Sequence, residues 1–196
     1  MATVLGIRHA EVENPDHVVY ARSRGFPLAA GGREAARRLG NALRSAAIVA
    51  VWASPLDRAV ETARELAAPH GLPIRVDDRL TEWGGLIPWQ GRPWGEAMAD
   101  PGLLSMYANP VSSPDDPLDE AGSRVLAWTE EAAAVQAEGV ALGVSHEAPL
   151  IAAYLAGRGG DYSAFRMVNI PHLGGVRLLP GPPELVDPAH ALAPSC

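Results

Sequence analysis

Short apolar runs separated by stretches of helical periodicity restrict this chain more than any other feature. Thr3–Ile7, Ile48–Trp52, Ile74–Val76, Val140–Val144 and Val176–Leu179 are each too short for a stable helix, lean on Val, Leu and Ile, and stop at polar or turn residues. They read as buried strands. Between them, helical spacing begins near Gly32 and continues through Leu43, and Ser54-Pro55 offers an N-cap and first-turn proline for a helix to about Ala68. Further helices are expected over Glu120–Ala137 and from Pro149 to Ala156. Alternation of this kind favours an α/β fold, a three-layer α/β/α sandwich with a mostly parallel central sheet. Residues 86–118 break the pattern with many Pro, Gly and Asp residues, and Trp83, Trp89 and Trp94 lie beside or within them. We expect one domain over 1–196, with this stretch as an insertion that folds over one edge and covers the active site. The proline-rich tail from Pro180 to Cys196 is expected on the surface.

In open sheets of parallel strands, ligands bind beyond the strands' carboxyl ends. Strand one ends in Arg8-His9, strand two leads through Ser54-Pro55-Leu56-Asp57 to Arg58, and strand four ends in Ser145-His146. On one sheet edge these residues make a cationic pocket of two guanidiniums and two imidazoles. A phosphoryl group is its natural ligand, because the guanidinium fork matches two phosphate oxygens. A neutral imidazole nitrogen there can also attack phosphorus.

Charge narrows the field. All 16 basic residues are arginine, so P-loop, Schiff-base and pyridoxal phosphate chemistry, each of which needs a lysine, is excluded. A net charge of −7 disfavours duplex nucleic acid as a partner. No stretch approaches the roughly 20 apolar residues of a membrane span. Cys196 is the sole cysteine, so neither an internal disulfide nor a multi-cysteine metal site can form. With no basic segment at the N-terminus, a reducing cytoplasm is the expected setting. His17, His70, His172 and His190 lack a consistent ligand spacing, and no metal or other cofactor is assigned.

Ile7-Arg8-His9-Ala10-Glu11, with Asn14, resembles the arginine-histidine-glycine motif that opens the histidine phosphatase superfamily, also called phosphoglycerate mutase-like. Pro27-Leu28 with Gly32-Arg33-Glu34-Ala35-Ala36, and then Ser54-Pro55-Leu56-Asp57-Arg58-Ala59-Val60-Glu61-Thr62-Ala63, resemble its next two blocks in order and spacing. Leu80-Thr81-Glu82-Trp83-Gly84, with Trp89-Gln90-Gly91, and Val144-Ser145-His146-Glu147 are similar to the last two. The resemblance implies His9 as the phosphorylated nucleophile, and Arg8, Arg58 and His146 around the phosphate, with Asn14 as a further contact. It implies Glu82 as the acid that protonates the leaving alcohol and later the base that activates water.

Glu11 and Glu147 are rival carboxylates. Arg22, Arg24 and Arg92 are cations within reach of a substrate, while Trp83, Trp89 and Trp94 read as core of the insertion. Selectivity is expected from residues 86–118, with Trp89 and Arg92 as its readers. Three departures from the motifs stand out: Ala10 and Glu147 replace glycines, and Val12 replaces a threonine.

The expected function is hydrolysis of a small phosphorylated metabolite by a metal-independent phosphomonoesterase working through phosphohistidine, with no nucleic-acid or membrane partner and a homodimer left open. A cofactor-dependent phosphoglycerate mutase competes with it. That branch carries Glu-Arg-His-Tyr-Gly where this chain has Glu82-Trp83-Gly84-Gly85, and it needs a lysine. A non-catalytic phosphate-binding module is the other alternative, disfavoured because both histidines, both arginines and a candidate acid are all present.

Overall fold

The computed structural model describes residues 2–135 and 138–193. Cys196 and the expected end of the Glu120–Ala137 helix lie outside them. The elements follow the alternation read from sequence: β1 Thr3–Arg8, α1 Ala30–Ala42, β2 Ile48–Ala53, α2 Asp57–Ala67 and β3 Ile74–Val76. Then come the short helices α3 Trp94–Ala97 and α4 Pro101–Ala108, followed by α5 Leu118–Ala134, β4 Val140–Ser145 and α6 Glu147–Ala156. The chain closes with β5 Gly175–Leu179, β6 Glu184–Val186 and α7 Pro188–Ala191. No helix among the described residues is long and apolar enough to cross a membrane.

The sheet order is β3-β2-β4-β1-β5-β6. Strands β3, β2, β4 and β1 pair in parallel, and β5 and β6 add an antiparallel edge. Strand alternation divides the side chains between two cores. Val4, Trp52 and Ala141 pack with α5 and α6 on one face, whereas Leu5, Ile7, Val51 and Leu142 pack with α1 and α2 on the other. The three layers follow directly.

Two glycines at one register position bring the helical layer close. Gly6 lies opposite Gly143. A Cβ on Gly6 would stand 2.5 Å from Leu150 of α6, and one on Gly143 would stand 2.3 Å from Trp128 of α5. Both side chains are seated where the sheet has no side chain of its own.

Helices α1 and α5 each start two residues earlier than the sequence reading, at Ala30 and Leu118, and other differences have local causes. Helix α2 starts at Asp57 with Leu56 as an uncapped N-cap, not at Ser54-Pro55; the Ser54 hydroxyl accepts from Leu56 N–H at 3.4 Å and pairs with His146 at 2.8 Å. Helix α6 starts at Glu147, two residues before Pro149. A proline in the first turn removes an N–H that has no intrahelical acceptor. The tail is more than surface: β6 pairs with β5, and Pro188 is buried.

Residues 84–112 form consecutive short helical turns clamped to the loop after β1. Val19 N–H donates to Arg92 and Gly91 N–H to Val19, each at 2.8 Å, and Trp94 N–H donates to His17 at 2.8 Å. Val19, Ala21, Trp89, Ala97 and Leu103 make a small core between the two segments.

Candidate active site

The parallel register aligns the carboxyl ends of β1, β2 and β4. Arg8 pairs with Ser145 and Ala53 with Val144, and the ladder runs one step further as His9 N–H donates to Ser145 and Ser54 N–H to Val144. His9, Ser54 and His146 are thereby neighbours, all of them buried. The imidazole rings of His9 and His146 lie 5.1 Å apart, edge to face.

His9 Nδ1 stands 2.7 Å from the carbonyl oxygen of Ala10. A carbonyl only accepts, so Nδ1 carries the proton and Nε2 keeps its lone pair. Burial lowers the His9 pKa well below the ordinary value, and Arg58, Arg8 and His172 lower it further, against the Ala10 hydrogen bond. The ring is neutral. Ala10, in the usual glycine position, does not take a left-handed φ, and its N–H donates to Thr62 Oγ1 at 3.0 Å. The substitution therefore costs the loop nothing.

His146 Nε2 pairs with Ser54 Oγ at 2.8 Å, and Nδ1 faces Glu82 Oε2 at 3.8 Å. Its pKa is also lowered, first by burial and then by Arg58, His9 and Arg8. Both imidazoles are therefore pushed down. Their hydrogen bonds distinguish them, a carbonyl for His9 and a hydroxyl for His146.

Arg58 is fully buried. Its Nη2 and Nη1 donate to the carbonyls of Ala21 (2.7 Å) and Ser23 (3.2 Å), and its guanidinium lies 4.7 Å from the centre of the Tyr20 ring. Arg8 Nη1 donates to Ile170 O at 2.7 Å and pairs with Glu147 Oε2 at 2.9 Å. Arg8 Nε, Arg58 Nε and His146 Nδ1 are buried without a hydrogen-bond partner. Unmet buried nitrogens are costly, and these three belong to the residues whose charge or ring bears directly on His9.

Glu82 is 9% exposed. Burial raises its pKa to about 7, outweighing Arg58, the Trp83 N–H and Arg8, and Glu147 adds to the rise. Its Oε1 accepts from Trp83 N–H at 2.8 Å. The turn is held by a residue that sequence reasoning missed. Buried Asp116 accepts from Arg22 (2.6 Å), Arg124 (2.8 Å) and Gly84 N–H (2.8 Å), and its carbonyl takes the Trp83 indole N–H. Arg22 Nε also donates to the Glu82 carbonyl at 2.7 Å.

A cavity of about 340 Å³ opens over Arg8, His9, Tyr20, Glu82 and Glu147. Arg58 and His146 lie behind this floor. Residues 86–118 contribute Leu86, Trp94, Met98 and Tyr107 to its walls. The expected selectivity readers are placed otherwise: Trp89 is buried in the small core, and Arg92 is paired with Asp100 at 2.8 Å. Asn14 is not brought to the cavity. Its amide spans Val18, donating at 2.9 Å and accepting at 3.1 Å. Glu11 and Arg24 are exposed away from the cavity lining.

His172, set aside in sequence, has its ring 5.6 Å from that of His9, and burial with Arg8 takes its pKa down to about 4. Leu173, at φ 63°, turns the chain so that its N–H meets the Arg8 carbonyl at 3.0 Å. No group of three or more His, Cys, Asp or Glu arranged for a metal ion is found among the described residues.

Comparison with known proteins gives a consistent result. A family model described as the histidine phosphatase superfamily (branch 1) matches residues 4–181. An uncharacterized protein, Rv0525, of Mycobacterium tuberculosis (strain ATCC 25618 / H37Rv) is 35% identical over 158 residues, 78% of this chain and 77% of its own. Among solved structures, YhfR of Bacillus stearothermophilus superposes with a TM-score of 0.80 at 22% identity, covering 90% of each chain. A mycobacterial glucosyl-3-phosphoglycerate phosphatase superposes at 0.76 and 20% identity, covering 89% of this chain and 88% of its own. A phosphoserine phosphatase mutant from Entamoeba histolytica in complex with phosphoserine superposes at 0.79 and 17% identity, covering 94% and 95%. At these identities the solved structures establish a shared fold.

Proposed function

Because the chain belongs to the histidine phosphatase superfamily, we propose that it hydrolyses phosphate monoesters of small metabolites through a phosphohistidine at His9, without a metal ion. The observation that carries this reading is the 2.7 Å hydrogen bond from His9 Nδ1–H to Ala10 O, which leaves Nε2 as an unprotonated nucleophile in the neighbourhood of Arg8, Arg58 and His146.

In the first step His9 Nε2 attacks phosphorus, the P–O ester bond breaks, and Glu82 gives its proton to the leaving alkoxide. A pKa of about 7 keeps that proton available near neutrality. In the second step Glu82, now a carboxylate, takes a proton from water. The water oxygen attacks phosphorus, the P–N bond breaks, and inorganic phosphate leaves with His9 neutral. Arg8, Arg58 and His146 stabilise the charge spread over the equatorial oxygens, the role for which positioned donors matter most in phosphoryl transfer. The dianion supplies the counter-charge that lets His146 take up a proton and donate.

The test is brief incubation with a labelled phosphate ester followed by an alkaline quench. Acid-labile label should appear on the His9 peptide and be absent in His9→Ala. Label on His146 instead would overturn the assignment of the nucleophile.

A further inference from the structure

We propose that the substrate is a monoester whose alcohol carries an aromatic or extended apolar body, and not a sugar, a hydroxy acid or an amino acid. The inference rests on the phosphatase reading for the chemistry, but its own ground is the cavity wall. Sixteen residues line the cavity, and nine of them are Ala, Val, Leu, Ile, Met, Phe or Trp. Ser, Thr, Asn, Gln and Asp are all missing from the lining, so beyond the reacting end with Arg8, His9, Glu82 and Glu147 the hydroxyls of a polyol would have only two tyrosines and Arg166 as polar side-chain partners, the rest of the wall being apolar. A polar group buried without a partner loses the hydrogen bonds it had in water.

The walls are also aromatic in a particular way. Phe165 lies edge-on to Trp83 with centroids 5.6 Å apart and at a tilt to Tyr107 at 6.2 Å, while Trp94 and Met98 face the same space from α3 and the residue after it. The volume of about 340 Å³ lies within the range of small-molecule pockets.

Charge disfavours a second anion next to the reacting group. Of the two cations in the lining, Arg8 is already paired with Glu147. Arg166 lies on the exposed side, 5.6 Å over the Tyr107 ring. Glu147 stands in the same lining beside Arg8, the guanidinium it already occupies.

The experiment is a homologous series. Ethyl, butyl and hexyl phosphate have leaving groups of similar basicity, so kcat/KM across them reads wall contact and not chemistry. The matching alkylphosphonates, which cannot be hydrolysed, are titrated by calorimetry. We expect each added methylene to raise kcat/KM and phosphonate affinity about fourfold, the factor for burying one CH₂, until the cavity fills. Hexyl phosphate should exceed glycerol 3-phosphate, phosphoserine and 3-phosphoglycerate by at least about tenfold. Met98→Asp should cut the hexyl-to-ethyl ratio by about tenfold. A flat series with turnover intact, or polar esters preferred over hexyl phosphate, overturns the substrate class and leaves the phosphatase reading standing. A steep phosphonate series without turnover of any ester does the reverse.

Discussion

Replacing Glu82 with glutamine should make the protein more stable at alkaline pH while removing its ability to expel poor leaving groups. Folding takes this carboxyl from an ordinary 4.5 to about 7 because burial penalises the charge more than Arg58 and Arg8 relieve it. The folded state therefore holds the proton more tightly than the unfolded chain. Stability contributed by the neutral acid is complete below pH 4.5 and is lost as pH rises toward 7. Across that interval, at about 1.36 kcal/mol per pH unit, the ionised form costs about 3 kcal/mol. Glutamine never ionises, and its Oε1 can still accept the Trp83 N–H.

Thermal unfolding at pH 8.5 should place Glu82→Gln above the wild type by about 6–12 °C, at roughly 2–4 °C per kcal/mol for a chain of this size. The gap should shrink below about 1 kcal/mol by pH 5. Hydrolysis of an alkyl phosphate should fall by about 10²–10⁴, and that of p-nitrophenyl phosphate, whose leaving group needs no proton, by much less. Wild-type turnover of the alkyl ester should decline above pH 7, as the acid form disappears. A variant no more stable at pH 8.5 than at pH 5, relative to the wild type, would refute the reasoning about burial. An equal loss on both esters would refute the role of proton donor.

Other expectations follow from the same geometry. Turnover of an aryl phosphate should persist in excess EDTA, because Arg8, Arg58 and His146 supply the positive charge; loss restored by zinc or magnesium would reverse this. His146→Ala should slow turnover by about 10²-fold or more, the scale of losing one donor to a transition state, while labelling of His9 in a quench experiment survives. Asp116→Ala should destabilise by about 2–3 kcal/mol in denaturant unfolding, since charged hydrogen bonds from Arg22 and Arg124 are lost, with Asp116→Asn recovering part of it. Gly143→Ala should cost about 1–3 kcal/mol by the same measurement, because the new methyl overlaps Trp128.

The parts of the site that sequence exposes are those standing at strand ends. Arg8, His9 and His146 directly follow buried runs, so their place on one sheet edge follows from the alternation alone. Arg58 needed only the short connection from β2. What stayed hidden comes from loops whose course depends on tertiary contacts. Ala21 at φ 36° and Leu173 at φ 63° sit in a region that non-glycine residues seldom adopt, and nothing local announces it. These two turns present Tyr20 to Arg58 and His172 to His9. Asp116 was one of two adjacent aspartates in a polar stretch, and only the fold distinguishes the buried one.

In residues 84–112 the turns are too short for periodicity to reveal which side faces inward. Trp89 is thus core, as its residue type suggested, but does not read the substrate, whereas Trp83 and Trp94, also expected as core, line the cavity. The edge strand β6 was obscured by its prolines, since Glu184–Val186 is too brief to read as a strand by pattern.

The pairing of Arg8 with Glu147 bears on how a catalytic cycle ends. An oxyanion that reaches Arg8 Nη1 must share it with a resident carboxylate already 2.9 Å away. On the proposed mechanism, departing phosphate would leave behind a guanidinium that Glu147 reoccupies from within the protein, so that the vacated site would not be an open trap for the next phosphate in solution. The expected kinetic consequence is tolerance of accumulated product, with weaker initial capture of substrate, read as a high inhibition constant for inorganic phosphate that falls in Glu147→Gly. A chain with glycine at this position would have the opposite balance.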